Sequence, residues 1–431
     1  MTFTTLCLTS MLTTSDSPQI APTEPTQSER FHALDAVRAF ALILGIFFHG
    51  VMSFVSYIPK MVWAIRDSQQ SIFLDTFFFV AHSFRMQAFF LIAGYFAHLL
   101  YHRQGAKSFL NHRFRRIFVP FLLFLPFIYF LLIALWIWGY QLMGLIPKES
   151  PIATLSPWLA SLGDIINLGW YKADVPITHL WFLYYLMLFC LSAFILRPLL
   201  AWLDQSETFR IKLDQVLATL LQKRWGGLVL GMIMVIPMQA APGWGSLHAP
   251  DKGFIPKLAA FSIYGIYFTV GWLFHRQPTL IINLKKYRLF NLIVSLVLLG
   301  SVTGFFLTKF YATTGVSDPI IENGFPPFTN SIYGIGSMTA VFAFIGFILH
   351  YFSHPSKRIR YLSDSAYWLY IAHLPVVVFF QILVAPLQIH WLLKMPLIFV
   401  PSFAILFLSY HYGVRNTWLG VLLNGRRYPL K

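Results

Sequence analysis

Cysteine is almost absent from this sequence. Cys7, in a leading polar stretch, and Cys190, inside an apolar run, are its two thiols. A disulfide framework is excluded, and neither residue has the spacing of a metal ligand. No Cys/His cluster stands anywhere in the chain, so no metal is expected. Charge is scarce as well: Asp, Glu, Lys and Arg make up 11% of the 431 residues, with 32 basic against 16 acidic. So little charge excludes two or three soluble domains, the ordinary reading of a chain this long. The formal charge of +16 does not point to nucleic acid, because no stretch interleaves basic and aromatic residues as a single-strand platform does.

What is present is apolar length. The chain is 57% hydrophobic and carries 44 Phe. Apolar runs near the length of a bilayer crossing recur from end to end, which makes this a polytopic membrane protein. Ten spans are read, at about 35–57, 72–101, 117–139, 179–203, 226–241, 257–275, 289–310, 331–352, 365–386 and 391–412. The fifth is short and contains Pro237. Alternate connections hold twenty Lys and Arg on one side against five on the other. The side rich in Lys and Arg is the cytoplasmic one, so both termini are expected there. The fold class is an all-α bundle of about ten transmembrane helices. Residues 1–29, rich in Thr, Ser and Pro, read as a flexible cytoplasmic tail. No basic segment precedes the apolar patch near Cys7, so a cleaved signal is not expected. Residues 30–425 form the membrane domain and 426–431 a short basic tail. The outer connection 140–178, with four Pro and several aromatic residues, is expected to rest at the interface.

The first span contains RAFALILGIFFH, Arg38 to His49, with ten uncharged residues between the two. Eleven helical steps of about 100° bring both side chains to within roughly 20° of one face, about 16 Å apart along the axis. An ionisable residue deep in a spanning helix is costly and marks a functional path. His49 is therefore the candidate for chemistry, as a base of near-neutral pKa, and Arg38 for holding or positioning the reagent. Asp35 reads as an ordinary partner of Arg38. On the second span His82 and Arg85 lie one turn apart, with Asp75 on the face of His82, near the depth of His49. For His82 a structural network and a catalytic role stand level. Arg85 at mid-depth points to an anionic ligand or intermediate. Arg113 and Arg116, one turn apart in the basic loop NHRFRRIFVP, offer a fork that grips phosphates. His179 and Trp181 in THLWFLYYL are placed at the outer surface, where His179 meets an acceptor and Trp181 belongs to an aromatic belt. His373 in YIAHLP is read first as a structural partner and second as a binding residue. Asp364 is expected to cap its helix, and Asp318 and Glu322 to be solvated.

Taken together, LDAVRAFALILGIFFHG, FRMQAFFLIAGYF, NHRFRRIFVPF, HLWFLYYL and SDSAYWLYIAHLPVV, in that order, resemble the acyltransferase 3 family of integral membrane acyltransferases. The ending VRNTWLGVLLNGRR and the stretch RMQAFFL are similar to its glucan-biosynthesis branch. The resemblance implies a membrane enzyme of the bacterial inner membrane. It would move an acyl group other than an aminoacyl group from cytoplasmic acyl-coenzyme A to a hydroxyl of an extracytoplasmic carbohydrate. In the glucan branch the group is succinyl and the acceptor a periplasmic glucan; acetyl is the other donor to consider. By position Arg38 and His49 match the family's paired arginine and histidine, and Arg113 and Arg116 its cytoplasmic Arg-x-x-Arg. On this reading His49 acts as general base, with Arg85 on the oxyanion, or else carries the acyl group itself. A transporter or flippase of an acylated glycan or lipid is the competing function.

Overall fold

The structure is a computed structural model and describes residues 27–167, 176–240, 249–312 and 325–428. Nine of its helices are long and apolar enough to cross a membrane. They are α1 (Gln27–Val51), α2 (Ile72–Gln104), α3 (Ala106–Leu142), α4 (Thr178–Leu203), α7 (Leu258–Arg276), α8 (Arg288–Ala312), α9 (Pro327–Tyr351), α10 (Lys357–Val384) and α11 (Trp391–Val414). Two shorter helices stand between α4 and α7: α5 (Thr208–Leu221) and α6 (Gly226–Gln239). A last short one, α12 (Trp418–Asn424), follows α11. No strand forms among the described residues; a single isolated bridge pairs Pro176 with Lys252.

The fifth predicted span is α6, and it is shorter than a usual crossing, interrupted by a 3-10 turn at Met232–Met234. It lies along the N-terminal part of α9, from Pro327 to Phe342. Gly227 at its start abuts the Phe342 ring, and Gln239 at its end donates to Pro327 O and Ser331 Oγ, both at 3.0 Å. Nine helices thus have the length to cross among the described residues, and α6 is a shorter apolar helix packed beside α9.

In lipid the packing of helices depends on small residues that let backbones approach. The crossing of α2 with α7 is built that way. A Cβ added at Gly94 would lie 1.9 Å from Phe268 O, and one at Gly271 would lie 1.8 Å from Leu91 O. This contact fixes α2, which carries His82 and Arg85, against the centre of the bundle.

The connection from α1 to α2 is not an ordinary surface loop. Phe54, Val55, Tyr57, Ile58, Trp63, Ala64 and Ile65 are all buried, so the chain folds back into the bundle. Irregular backbone at such a depth must find its partners within the protein. Asp67 N donates to Ser53 O at 2.8 Å, and Tyr140 Oη donates to Met61 O at 2.6 Å. The loop is clamped to α11 by a fully buried ion pair in which Lys394 Nζ lies 2.9 and 2.7 Å from the two oxygens of Asp67. At its far end Asp75 accepts from Ser56 N at 2.8 Å, Ser56 Oγ at 2.7 Å and Tyr311 Oη at 2.5 Å. Asp75 is thus a structural hub for the loop.

Candidate active site

One cavity of about 1020 Å³ lies within the bundle, and all nine residues singled out in the sequence for chemistry and binding line it: His49, Arg38, Arg85, His82, Arg113, Arg116, His179, Trp181 and His373. At the basic end its wall includes Arg38, His112, Arg113, Arg116 and Leu423; at the opposite end it includes Met61, Tyr140, Asp251 and Lys252.

Between the two ends stands a pair of imidazoles. His49 Nδ1 on α1 lies 3.0 Å from His373 Nε2 on α10. His373 Nδ1 lies 2.7 Å from Tyr370 O and 3.1 Å from Leu369 O. Carbonyl oxygens only accept, so His373 Nδ1 carries the proton and, in the neutral ring, Nε2 is a lone pair. His49 Nδ1 must then donate, which leaves its Nε2 unprotonated. Both tautomers are assigned from this network. The backbone beside His49 is held too. Gln381 Nε2 donates to His49 O and Gly50 O, each at 2.9 Å, while Gln381 Oε1 accepts from Trp63 Nε1 at 3.0 Å. The Trp63 ring lies parallel to the His49 ring, 6.1 Å between centroids, so the inward fold of the first loop brings an indole over the histidine.

Prolines explain two further contacts. A helix residue donates to the carbonyl four before it, and proline has no N–H to give. Pro375, two residues after His373, leaves Ile371 O free, and His179 Nε2 donates to that oxygen at 3.1 Å. Tyr370 Oη completes the tie by donating to His179 O at 2.6 Å. Pro120 likewise leaves Arg116 O without its usual donor, and Tyr367 Oη donates there at 2.7 Å. Around Arg116 the helix also widens into a π turn, Phe114–Phe118, a feature common at functional sites. Arg113 and Arg116 both face the cavity from this segment.

Arg85 is buried, with its guanidinium carbon 4.0 Å over the Phe48 ring. Its Nη1 lies 3.4 Å from Gly45 O, and its Nε has no partner. No carboxylate forms an ion pair with it among the described residues. His82 stacks on Phe48 and Phe78, at 5.6 and 6.0 Å. Arg38 pairs with Asp35 at 3.2 Å, both about two-fifths exposed.

Several expectations change. His179 and Trp181 do not stand at an outer aqueous surface: they are 8% and 5% exposed. His179 is wedged edge-on to His373, 5.1 Å between ring centroids, and Trp181 packs on Tyr264 at 5.1 Å. The freed Ile371 carbonyl draws His179 inward. Asp364 does not cap α10; Ser356 does, accepting from Ile359 N at 3.4 Å. Asp364 lies two turns into the helix and accepts from Tyr428 Oη at 2.9 Å. Asp75 meets Ser56 and Tyr311. Asp318 and Glu322 lie outside the described residues.

Sequence reasoning did not pair His49 with His373 and gave no part to Trp63 or Gln381. The available signal was Pro375, since a proline in a spanning helix exposes a carbonyl that needs a nearby donor.

The acyltransferase 3 model, described as an acyltransferase domain, matches residues 31–411. The chain belongs to this acyltransferase family. Its curated relatives include glucans biosynthesis protein C of Escherichia coli O1:K1 / APEC, 25% identical over 93% of this chain and 96% of the relative. The glucans biosynthesis protein C of Escherichia coli strain SMS-3-5 is 26% identical over the same shares. No solved structure matches the chain. The match thus takes in every residue of the cavity wall except Leu423.

Proposed function

We propose that this protein is a membrane O-acyltransferase that takes an acyl group from acyl-coenzyme A on the cytoplasmic side and places it on a carbohydrate hydroxyl on the other. The observation that carries this reading is the cavity with His49 between its basic and opposite ends. The phosphates of the donor would bind Arg113 and Arg116, and its flexible arm would pass Arg38 towards His49. The acceptor would enter from the side of Tyr140 and Lys252. The names of the relatives make a glucan the first acceptor to test.

In the proposed reaction His49 Nε2 takes the proton of the acceptor hydroxyl while the oxygen attacks the thioester carbonyl. The C–S bond then breaks, and the imidazolium returns the proton to the departing thiolate, so an ester and free coenzyme A are formed. His373 Nε2 accepts from His49 Nδ1–H throughout and so steadies the imidazolium, as an orienting group does for a general base. Arg85, a buried cation beside the path, is suited to the oxyanion of the tetrahedral intermediate. In the rival route His49 Nε2 attacks the thioester first and carries the acyl group, which the same lone pair would allow.

A cavity of this size, lined by buried Arg and His within the bundle, also suits a transporter or flippase of an acylated glycan or lipid. The two functions part on coenzyme A. Radiolabelled acetyl- and succinyl-coenzyme A, with periplasmic glucans as acceptors, are expected to give labelled ester with the wild type and none with His49→Ala. A folded wild type that neither binds coenzyme A nor hydrolyses its thioester would sink the enzyme reading and favour transport.

A further inference from the structure

The ending VRNTWLGVLLNGRR has no part in the chemistry described so far, yet it closes the basic end of the cavity. α12 ends at Asn424, and Gly425 follows in the left-handed conformation at φ 79°. A left-handed glycine stops a helix and leaves the carbonyls of its last turn without intrahelical donors. One of these, Leu423 O, accepts from Arg116 Nη1 at 3.3 Å. Leu423 itself is buried and lines the cavity. The same glycine makes room for the guanidinium: a Cβ added at Gly425 would lie 1.3 Å from Arg116 Nη2 and 2.4 Å from its Cζ. The tail beyond is fastened down. Tyr428 N donates to Arg415 O at 3.0 Å and Tyr428 Oη to Asp364 Oδ1 at 2.9 Å.

We propose that the C-terminal segment Leu423–Gly425 is a wall of the donor site, which sets the Arg116 guanidinium for the phosphates of coenzyme A. This rests on the reading of Arg116 as a phosphate grip. Gly425 has two tasks in it: it ends α12 so that the Leu423 carbonyl is open, and it offers no side chain where the guanidinium lies. Any side chain at 425 would push Arg116 off its anchor, with no change at His49. Gly425 is a positioning residue, acting on the donor through Arg116.

Gly105 supplies the control. It too has a positive φ, 77°, at the end of α2, with a ψ of 165° that resists a Cβ even more than the conformation of Gly425 does, but a Cβ there would meet nothing within 4 Å. Gly105→Ala therefore carries the backbone strain alone, whereas Gly425→Ala carries the strain and the clash. The test measures binding of unacylated coenzyme A to the full-length detergent-purified protein, by calorimetry, for wild type, Gly425→Ala, Gly105→Ala, Arg116→Ala and the Gly425→Ala/Arg116→Ala double variant. Should Gly425→Ala fail to purify as a folded protein, Gly425→Asn takes its place, because Asn tolerates the left-handed region while keeping a Cβ.

Gly425→Ala is expected to weaken binding about tenfold, Gly105→Ala less than twofold, and the double variant no more than Arg116→Ala alone. The KM for the acceptor should not move. If Arg116→Ala weakens binding while Gly425→Ala behaves like Gly105→Ala, the C-terminal wall is wrong and the phosphate grip stands. If Arg116→Ala binds coenzyme A as the wild type does, the phosphate grip is wrong and the wall falls with it.

Discussion

At the scale of single residues, the proposal turns on which nitrogen of His49 is bare. His373 decides it, because two backbone carbonyls hold the proton on His373 Nδ1 and so make its other nitrogen an acceptor. A glutamine side chain keeps an acceptor oxygen near the place of Nε2. His373→Gln is therefore expected to retain kcat within about tenfold, whereas His373→Leu should lower it by about 100-fold, the lower range for loss of a positioned base. The KM for the donor should stay constant in both. Equal losses with Gln and Leu would show that His373 fills space and does not orient His49. The Arg38 to His49 spacing was legible because both residues lie on one helix, where periodicity fixes their faces. The partner His373 was not, since 324 residues separate the two histidines and no periodicity crosses that gap.

At the scale of elements, two contacts carry the site. The α2 and α7 backbones meet at Gly94 and Gly271 with no space for a Cβ. Gly94→Leu must part the helices, and its cost should reach or exceed the ~1–3 kcal/mol usual for overpacking. The check is a lower unfolding midpoint in detergent, and an unchanged midpoint would contradict the packing described. The buried Lys394–Asp67 pair holds the loop that carries Trp63. Breaking such a pair on one side strands a buried charge and costs about 3–5 kcal/mol, while removing both charges costs much less. Lys394→Met is therefore expected to destabilise far more than the Lys394→Met/Asp67→Asn double variant, as read from thermal unfolding of each. If the double variant is the worse of the two, the pair is not what anchors the loop. The helices themselves were legible as apolar runs. The inward fold of residues 55–66 was not, because a loop that lines a cavity is composed like one that lies on the surface. The π turn at Phe114–Phe118 was hidden for a related reason: Pro120 announces a freed carbonyl but not the widened turn.

At the scale of the whole molecule, the cavity has a basic end and an opposite one. Its basic end is lined by Arg38, Arg113 and Arg116, of which the last two belong to one of the connections rich in Lys and Arg. Membership of an acyltransferase family then gives the cavity a chemistry, and the proposal is that donor and acceptor meet across the membrane at His49. The most direct measurement uses inverted membrane vesicles, with the cytoplasmic face outward. Radiolabelled acyl-coenzyme A is supplied outside and a glucan acceptor is sealed inside. The expected result is label on the enclosed glucan with the wild type and a loss of at least 100-fold with His49→Ala, while His49→Ala still binds coenzyme A. A folded His49→Ala protein that labels the enclosed glucan at the wild-type rate would contradict the central claim.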